Sequence, residues 1–243
     1  MCPDLDIQNI AHPCPAKKVI PSWFAKMSKY LDEKSVNFLN YSQDKAKSLV
    51  ISRNQSPVTL STVKTCVPVQ DMLTSGYIIP VIADMVAEIN KEAGIHNFSW
   101  KYPGDFISTH PPEQFPDSPI EKATEGRAAL KYNNSWQIVT PPGYSTLYLP
   151  PPYRENKITI LPAIVDTDKH HSVNFPFIWT GPEGDVVIDK GEPVALAIPF
   201  KREAWKHEIV GVPQDQLHQQ DRKFHSRLFS IYRKERWTKK HFD

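Results

Sequence analysis

The sequence predicts a mainly β protein with a short helix near the N-terminus and a basic amphipathic helix near the C-terminus. Three observations predict it. The 243 residues include 23 prolines, roughly twice the usual share, and proline interrupts both helices and central strands. Period-2 alternation of apolar residues runs through Val81–Asn90, Val173–Trp179 and Val194–Phe200. Turn residues recur between these runs at roughly ten-residue spacing, the pattern of a small β sandwich or barrel.

The elements follow in chain order. Residues 1–20 carry Pro3, Pro13 and Pro15 and read as irregular. Ser22 offers a helix N-cap, and Trp23, Phe24, Met27, Tyr30 and Leu31 share one face, predicting a helix to about Leu31. Residues 47–52 read as a short strand. Pro68–Thr74 reads as a helical turn or two, stopped by Gly76. Val81–Asn90 alternates as a strand, Lys91–Gly94 as a hairpin loop and His96–Trp100 as the return strand. Residues 103–119 hold five prolines and read as a surface loop. Trp136–Thr140 and Tyr144–Leu149 read as strands around a Pro-Pro-Gly turn, followed by strands at Ile158–Leu161, Val173–Trp179 and Val194–Phe200. Gln214–Trp237 has neither proline nor glycine, and Leu217, Phe224, Leu228 and Ile231 form one apolar stripe of a helix. Three regions result: an N-terminal extension over residues 1–60, a β domain over 61–205 and a helical extension over 206–243.

Composition excludes several classes. The net charge of +2 points to no partner by itself. Cys2, Cys14 and Cys66 form neither a CxxC pair nor an even disulfide framework, so reduced thiols in a cytoplasm are expected. The start, Met1-Cys2-Pro3-Asp4, lacks the basic and apolar regions of a signal peptide. No window is apolar enough for a membrane span, so no membrane partner is expected. No GxGxxG motif or P-loop occurs. The stretch Arg222–Lys240 holds eight Lys or Arg residues. Nucleic acid could be held there, but a solvated helix face is favoured over that reading.

Three motifs occur in a telling order. Thr140-Pro141-Pro142-Gly143-Tyr144 is followed by Ile164-Val165-Asp166-Thr167-Asp168, and then by Asp189-Lys190-Gly191-Glu192-Pro193-Val194-Ala195. This order resembles the core of the dUTPase and dCTP deaminase superfamily. The resemblance implies a β-clip fold, a trimer and a nucleotide site between subunits, in which Asp166 would activate water or contact the ribose, with Asp168 beside it. Over Thr62–Arg202 the chain also resembles an uncharacterised domain family of bacteria and cyanophages. The matching pieces are Val63–Pro68 with Ser75-Gly76-Tyr77, Pro141–Tyr144, Val173–Phe177, Gly191-Glu192-Pro193 and Pro199–Arg202. That family brings no activity with it.

The side chains depart from the enzyme pattern. Lys169, His170 and His171 stand where the superfamily places an aromatic residue, a basic residue and glycine. Pro150-Pro151-Pro152 stands in place of the phosphate-clamping Arg-Ser pair, and proline has no N–H to offer a phosphate. Leu196 replaces a glutamine. Gly211 is the last glycine, so a glycine-rich C-terminal arm is absent. An Asp-Thr-Asp turn also serves to cap its own backbone.

The expected function is therefore a non-catalytic binding or structural protein on a dUTPase-like scaffold, of phage or bacterial origin, trimeric and without a cofactor. Its ligand-binding surface would use Tyr144, Tyr148, Tyr153, Lys169, His170, His171, Lys201 and Arg202. The first alternative is a nucleotide-directed hydrolase or deaminase with Asp166 activating water. The second is a metal-dependent enzyme using His170 or His171 with Asp168. Adjacent histidines on a strand point to opposite faces, which weighs against the pair as joint ligands. No metal site is assigned.

Overall fold

A computed structural model of the chain describes residues 7–30, 62–124, 129–211, 213–214 and 232–243. The strand expected over residues 47–52 and most of the expected C-terminal helix, with its apolar stripe, lie outside the described residues. Two compact units are distinguished. One comprises Met1–Val19, Thr74–Lys206 and Phe242–Asp243, and the other Ile20–Leu73 and His207–His241.

The first unit is mainly β, built of three antiparallel sheets. Its strands are β1 (Cys14–Pro15), β2 (Tyr77–Pro80), β3 (Met85–Asn90), β4 (Ile95–Trp100), β5 (Ile107–His110), β6 (Ala129–Tyr132), β7 (Tyr144–Leu149), β8 (Ile158–Ile160), β9 (Ala163–Val165), β10 (Phe175–Trp179), β11 (Gly184–Ile188) and β12 (Pro193–Lys201). The orders are β1-β2-β12-β7-β9, β5-β6-β10-β8 and β11-β3-β4. Each sheet turns one face to a shared core. Ile79, Tyr148, Ala195 and Ala197 come from the first, Leu130, Tyr132, Ile160, Phe175 and Phe177 from the second, and Met85, Ala87, Ile89, Val186 and Ile188 from the third.

Alternation sets these faces. In β3 the buried positions are Met85, Ala87 and Ile89, and the exposed ones Val86, Glu88 and Asn90. The β3–β4 hairpin closes as expected. Gly94 takes φ +69, and Asn90 Oδ1 accepts from the Ala93 N–H at 2.9 Å. Prolines within strands sit where no partner needs their missing N–H. The Pro176 carbonyl accepts from Leu161 N–H at 2.8 Å, just past the end of β8, so the missing N–H falls outside the β8–β10 pairing. Pro199 of β12 lies beyond the last residue pair with β2, Ala197 with Tyr77. Gly76 takes φ +77, and a Cβ on it would meet the Ala197 carbonyl oxygen at 2.3 Å, so only glycine fits that approach.

The structure departs from expectation in several places. Trp136–Thr140 makes one bridge, Gln137 with Ser172, rather than a strand. The Asn134 side chain bonds the main chain of Trp136 in both directions, holding a local turn that competes with a ladder. The proline-rich 103–119 stretch contains β5, an edge strand, and the start of a short helix at Pro119–Ala123 capped by Ser118. Strands β1, β2, β6, β9 and β11 form where the sequence predicts none, and β3 begins at Met85, not at Val81.

In the second unit, α1 (Ser22–Lys26) is shorter than expected, and α2 (Val67–Thr74) begins one residue before its predicted start. Ser22 is the first helical residue and makes no cap; Pro21 precedes it. Past Met27 the main chain pairs with Thr62, whose N–H donates to the Lys29 carbonyl at 2.9 Å, and the helix ends. At Tyr232–Arg236 a single wide helical turn is present. Arg233 and Lys240 both lie over the Trp237 ring, each 5.8 Å from its centroid. The Trp237 indole N–H donates to Asp71, which also pairs with Lys240 at 2.6 Å. Part of the basic C-terminal charge is thus used internally. Among the described residues, no helix is long and apolar enough to cross a membrane.

Candidate functional site

The aspartate turn, the Pro-Pro-Gly turn and the end of β12 meet at one end of the neighbouring strands β9, β7 and β12 of the first sheet. Each arrives for a local reason. The Tyr144 N–H donates to the Pro141 carbonyl at 3.2 Å and Gly143 takes φ +85, the backbone a Pro-Gly turn with glycine at its third position requires. β9 ends at Val165, after which the Lys169 and His170 N–H groups both donate to the Asp166 carbonyl at 2.9 Å. β12 runs one residue past its pairing of Phe200 with Ser145, to Lys201 opposite Tyr144, and delivers Arg202.

Arg202 organises the site. Its Nη1 donates to Asp168 Oδ1 at 2.9 Å and its Nη2 to Asp168 Oδ2 at 2.5 Å, a two-pronged pair. Nη1 also donates to the Tyr144 carbonyl at 2.8 Å and lies 3.1 Å from both Ser145 Oγ and Asp166 Oδ1. Asp168 Oδ2 accepts the Gly143 N–H at 2.8 Å, and the Arg202 N–H donates to the Gly143 carbonyl at 2.8 Å. The Asp168 side chain is only 5% exposed, whereas Asp166 is 52% exposed. Asp166 Oδ1 accepts the Ser145 hydroxyl at 2.6 Å.

Beneath this cluster lies a chain of three hydroxyls, two of them buried. Thr167 is fully buried, and its Oγ1 is 2.8 Å from Thr140 Oγ1 and 2.8 Å from Thr146 Oγ1. The middle residue of the Asp-Thr-Asp turn therefore points inward, while Asp166 is half-exposed and Asp168 is enclosed against Arg202.

These contacts set the protonation states. The hydrogen bonds from Arg202, then that from Gly143, hold the Asp168 carboxyl down to about 2. The Ser145 hydroxyl, followed by the Arg202 charge, lowers Asp166. Asp168 in turn raises Arg202. Both aspartates are ionised at neutral pH. A general base works best with a pKa near the operating pH, and Asp168 sits far below it with its lone pairs already engaged. A depressed carboxyl stabilises the fold above its unfolded value and loses that contribution as pH falls through the folded value. The stabilisation from Asp168 is therefore expected to fade between about pH 4 and pH 2. In urea titrations, the gap between wild type and Asp168→Asn should narrow over that window. A gap independent of pH would show that the pairing contributes nothing.

The other expected site residues divide into groups. Lys169 and His170 are exposed in the same turn, and His171 is half-buried, its carbonyl accepting the Ile138 N–H at 2.9 Å. Lys201 is exposed and pairs with Glu203 at 3.5 Å. Tyr144 serves through its carbonyl. Tyr148 is fully buried, its ring 5.2 Å from that of Phe175, and burial pushes its hydroxyl up to about 12. It lies in the core, not on a binding surface, because β7 alternates and Tyr148 takes the inward phase. Tyr153, at φ +57, lies in the turn beyond the far end of β7, the opposite end of the strand from Tyr144. The three tyrosines thus form no common surface. Leu196, in the position of the expected glutamine, is fully buried and pairs with Leu149 and Ile78.

Ser145, Thr140 and Thr146 complete the site and were not singled out from sequence. Ser145 carries one signal, a polar residue immediately after the turn, but the threonines are joined only by the fold. Among the described residues, no group of three or more His, Cys, Asp or Glu side chains gathers as a metal-binding set, and the Asp168 carboxylate is committed to Arg202. Comparison of the chain with family models, curated proteins and solved structures gives no match.

Proposed function

We propose that the chain is a non-catalytic binding or structural protein on a β-clip scaffold like that of dUTPases and dCTP deaminases, assembled as a trimer. The observation that carries this reading is the Arg202–Asp168 pair. In a nucleotide enzyme, a basic group beside the aspartates would be kept for a phosphate and an aspartate for water. Here each is consumed by the other, and the Gly143 N–H is consumed with them. The cluster then acts as a clamp that ties the Pro-Pro-Gly turn to the end of β12. Self-association finds support on the outward face of the same sheet, where Ile164, Leu147 and Ile198 stand in register, Phe200 follows, and Ile164 is 63% exposed.

One observation favours the hydrolase or deaminase reading. The Asp166 carboxylate is half-exposed and ionised beside a guanidinium, and so is able to orient a water. One preparation tests both. Purified protein is expected to leave dUTP and dCTP intact and to give a trimer mass by light scattering. Turnover abolished by Asp166→Asn would establish the enzyme reading, and a monomer at micromolar concentration would remove the trimer.

A further inference from the structure

A cleft of about 570 Å³ opens at the end of the third sheet, β11-β3-β4, where β3 begins and β4 and β11 stop, away from the sheet that carries the aspartate turn. Its volume falls within the range of small-molecule sites, which are largely apolar with a few converging polar groups. Its floor is Val86 and Val187, register partners across β3 and β11, which are 41% and 54% exposed. Two β-branched side chains side by side on a solvent face leave apolar area uncovered. Its wall, on the core side of the sheet end, is Trp100, in register with Met85, and Tyr102. Both rings rest on the buried Phe106, at centroid distances of 5.4 and 6.5 Å, and the Trp100 indole N–H is held by the Gly104 carbonyl at 2.7 Å. The wall is therefore fixed before any ligand arrives.

The charges sit at one end of this cleft. Lys101 directly follows β4, and Lys190 follows β11 by two residues, so both ammonium-bearing residues stand where the strands stop. The Lys190 turn is anchored: its N–H donates to Asp84 Oδ1 at 2.7 Å and its ammonium to the Asn9 carbonyl at 3.3 Å. Asp84 is the acidic residue lining the cleft, against two lysines. Further along the same outward face, Glu88 and Asp185 stand in register as an acidic row. An anion is thus drawn to the lysine end and repelled from the other.

We propose that this cleft binds a small organic anion with a planar apolar body, the body lying between the valine floor and the aromatic wall and the anionic group between Lys101 and Lys190. The site does not depend on the function proposed above. Anilinonaphthalene sulfonate, a planar apolar anion, is a direct probe of the full chain, and uncharged phenylnaphthylamine offers the same body without the charge. The sulfonate is expected to titrate to one site per chain. Lys101→Glu and Lys190→Glu should each weaken it roughly tenfold and leave the uncharged probe unchanged, and Val187→Asp should weaken both probes. Far-UV circular dichroism on each variant separates loss of the site from loss of fold. An absence of saturable binding, a titration indifferent to all three substitutions, or equal loss of both probes in the lysine variants would overturn the proposal.

Discussion

Phe177→Ala is expected to lower stability by about 3–5 kcal/mol, the range for truncating a large buried aromatic. Phe177 is completely buried, and it sits on β10 between Leu130 of β6 and Ile160 of β8. Its ring also meets Phe98 of β4 edge-to-face at 6.1 Å, so it joins two sheets rather than filling a place in one. Truncation removes apolar burial and leaves a cavity bounded by strands that hydrogen bonds hold apart, so the walls have little freedom to close. Chemical denaturation measures the effect directly. Phe98→Ala, at a partly buried position, should cost less. A loss below about 1 kcal/mol for Phe177→Ala would mean that the three sheets do not share one core.

The second large effect is expected from Thr167→Val, which keeps shape and removes one hydroxyl. Thr146 loses its shared partner in a buried place, and Thr140 in a half-buried one, where its hydroxyl keeps the Tyr144 carbonyl at 3.5 Å. Leaving buried polar groups unsatisfied costs about 1–3 kcal/mol. Thr167 lies between Asp166 and Asp168, so the same substitution loosens the turn that aims both carboxylates. Two readouts are therefore expected to move together: the denaturation midpoint falls, and the acid sensitivity attributed to Asp168 diminishes. The triple variant with valine at positions 140, 146 and 167 removes all three hydroxyls at once and should recover part of the loss. A triple variant worse than the sum of its singles would contradict this account.

How much of the site was legible follows from the range of each contact. The Asp-Thr-Asp turn is local: its carbonyl and N–H bonds close within a few residues, and both the turn and its two aspartates could be placed from the sequence. The partner that defines their chemistry is not local. Arg202 lies 34 residues from Asp168 along the chain, and it arrives only because β12 pairs with β7 over six residues and ends beside Gly143. No spacing rule distinguishes that arginine from its neighbour Lys201, which points to Glu203 instead.

The sequence by itself determined the mainly β character, the span of β7 and, to within a residue or two, those of β10 and β12, the Pro-Pro-Gly turn and the β3–β4 hairpin. These rest on side-chain alternation, on proline's missing N–H and on glycine's access to positive φ, all properties of a few consecutive residues. Only the tertiary structure decided which phase of an alternating strand faces the shared core, and so placed Tyr148 in that core and Ser145 on the other face, buried beside Asp166 and Arg202. It also decided that three-residue β9 is a strand while Trp136–Thr140 is not. A short segment gains a ladder when a neighbour presents matching donors and acceptors, and that neighbour is supplied by chain far away in sequence.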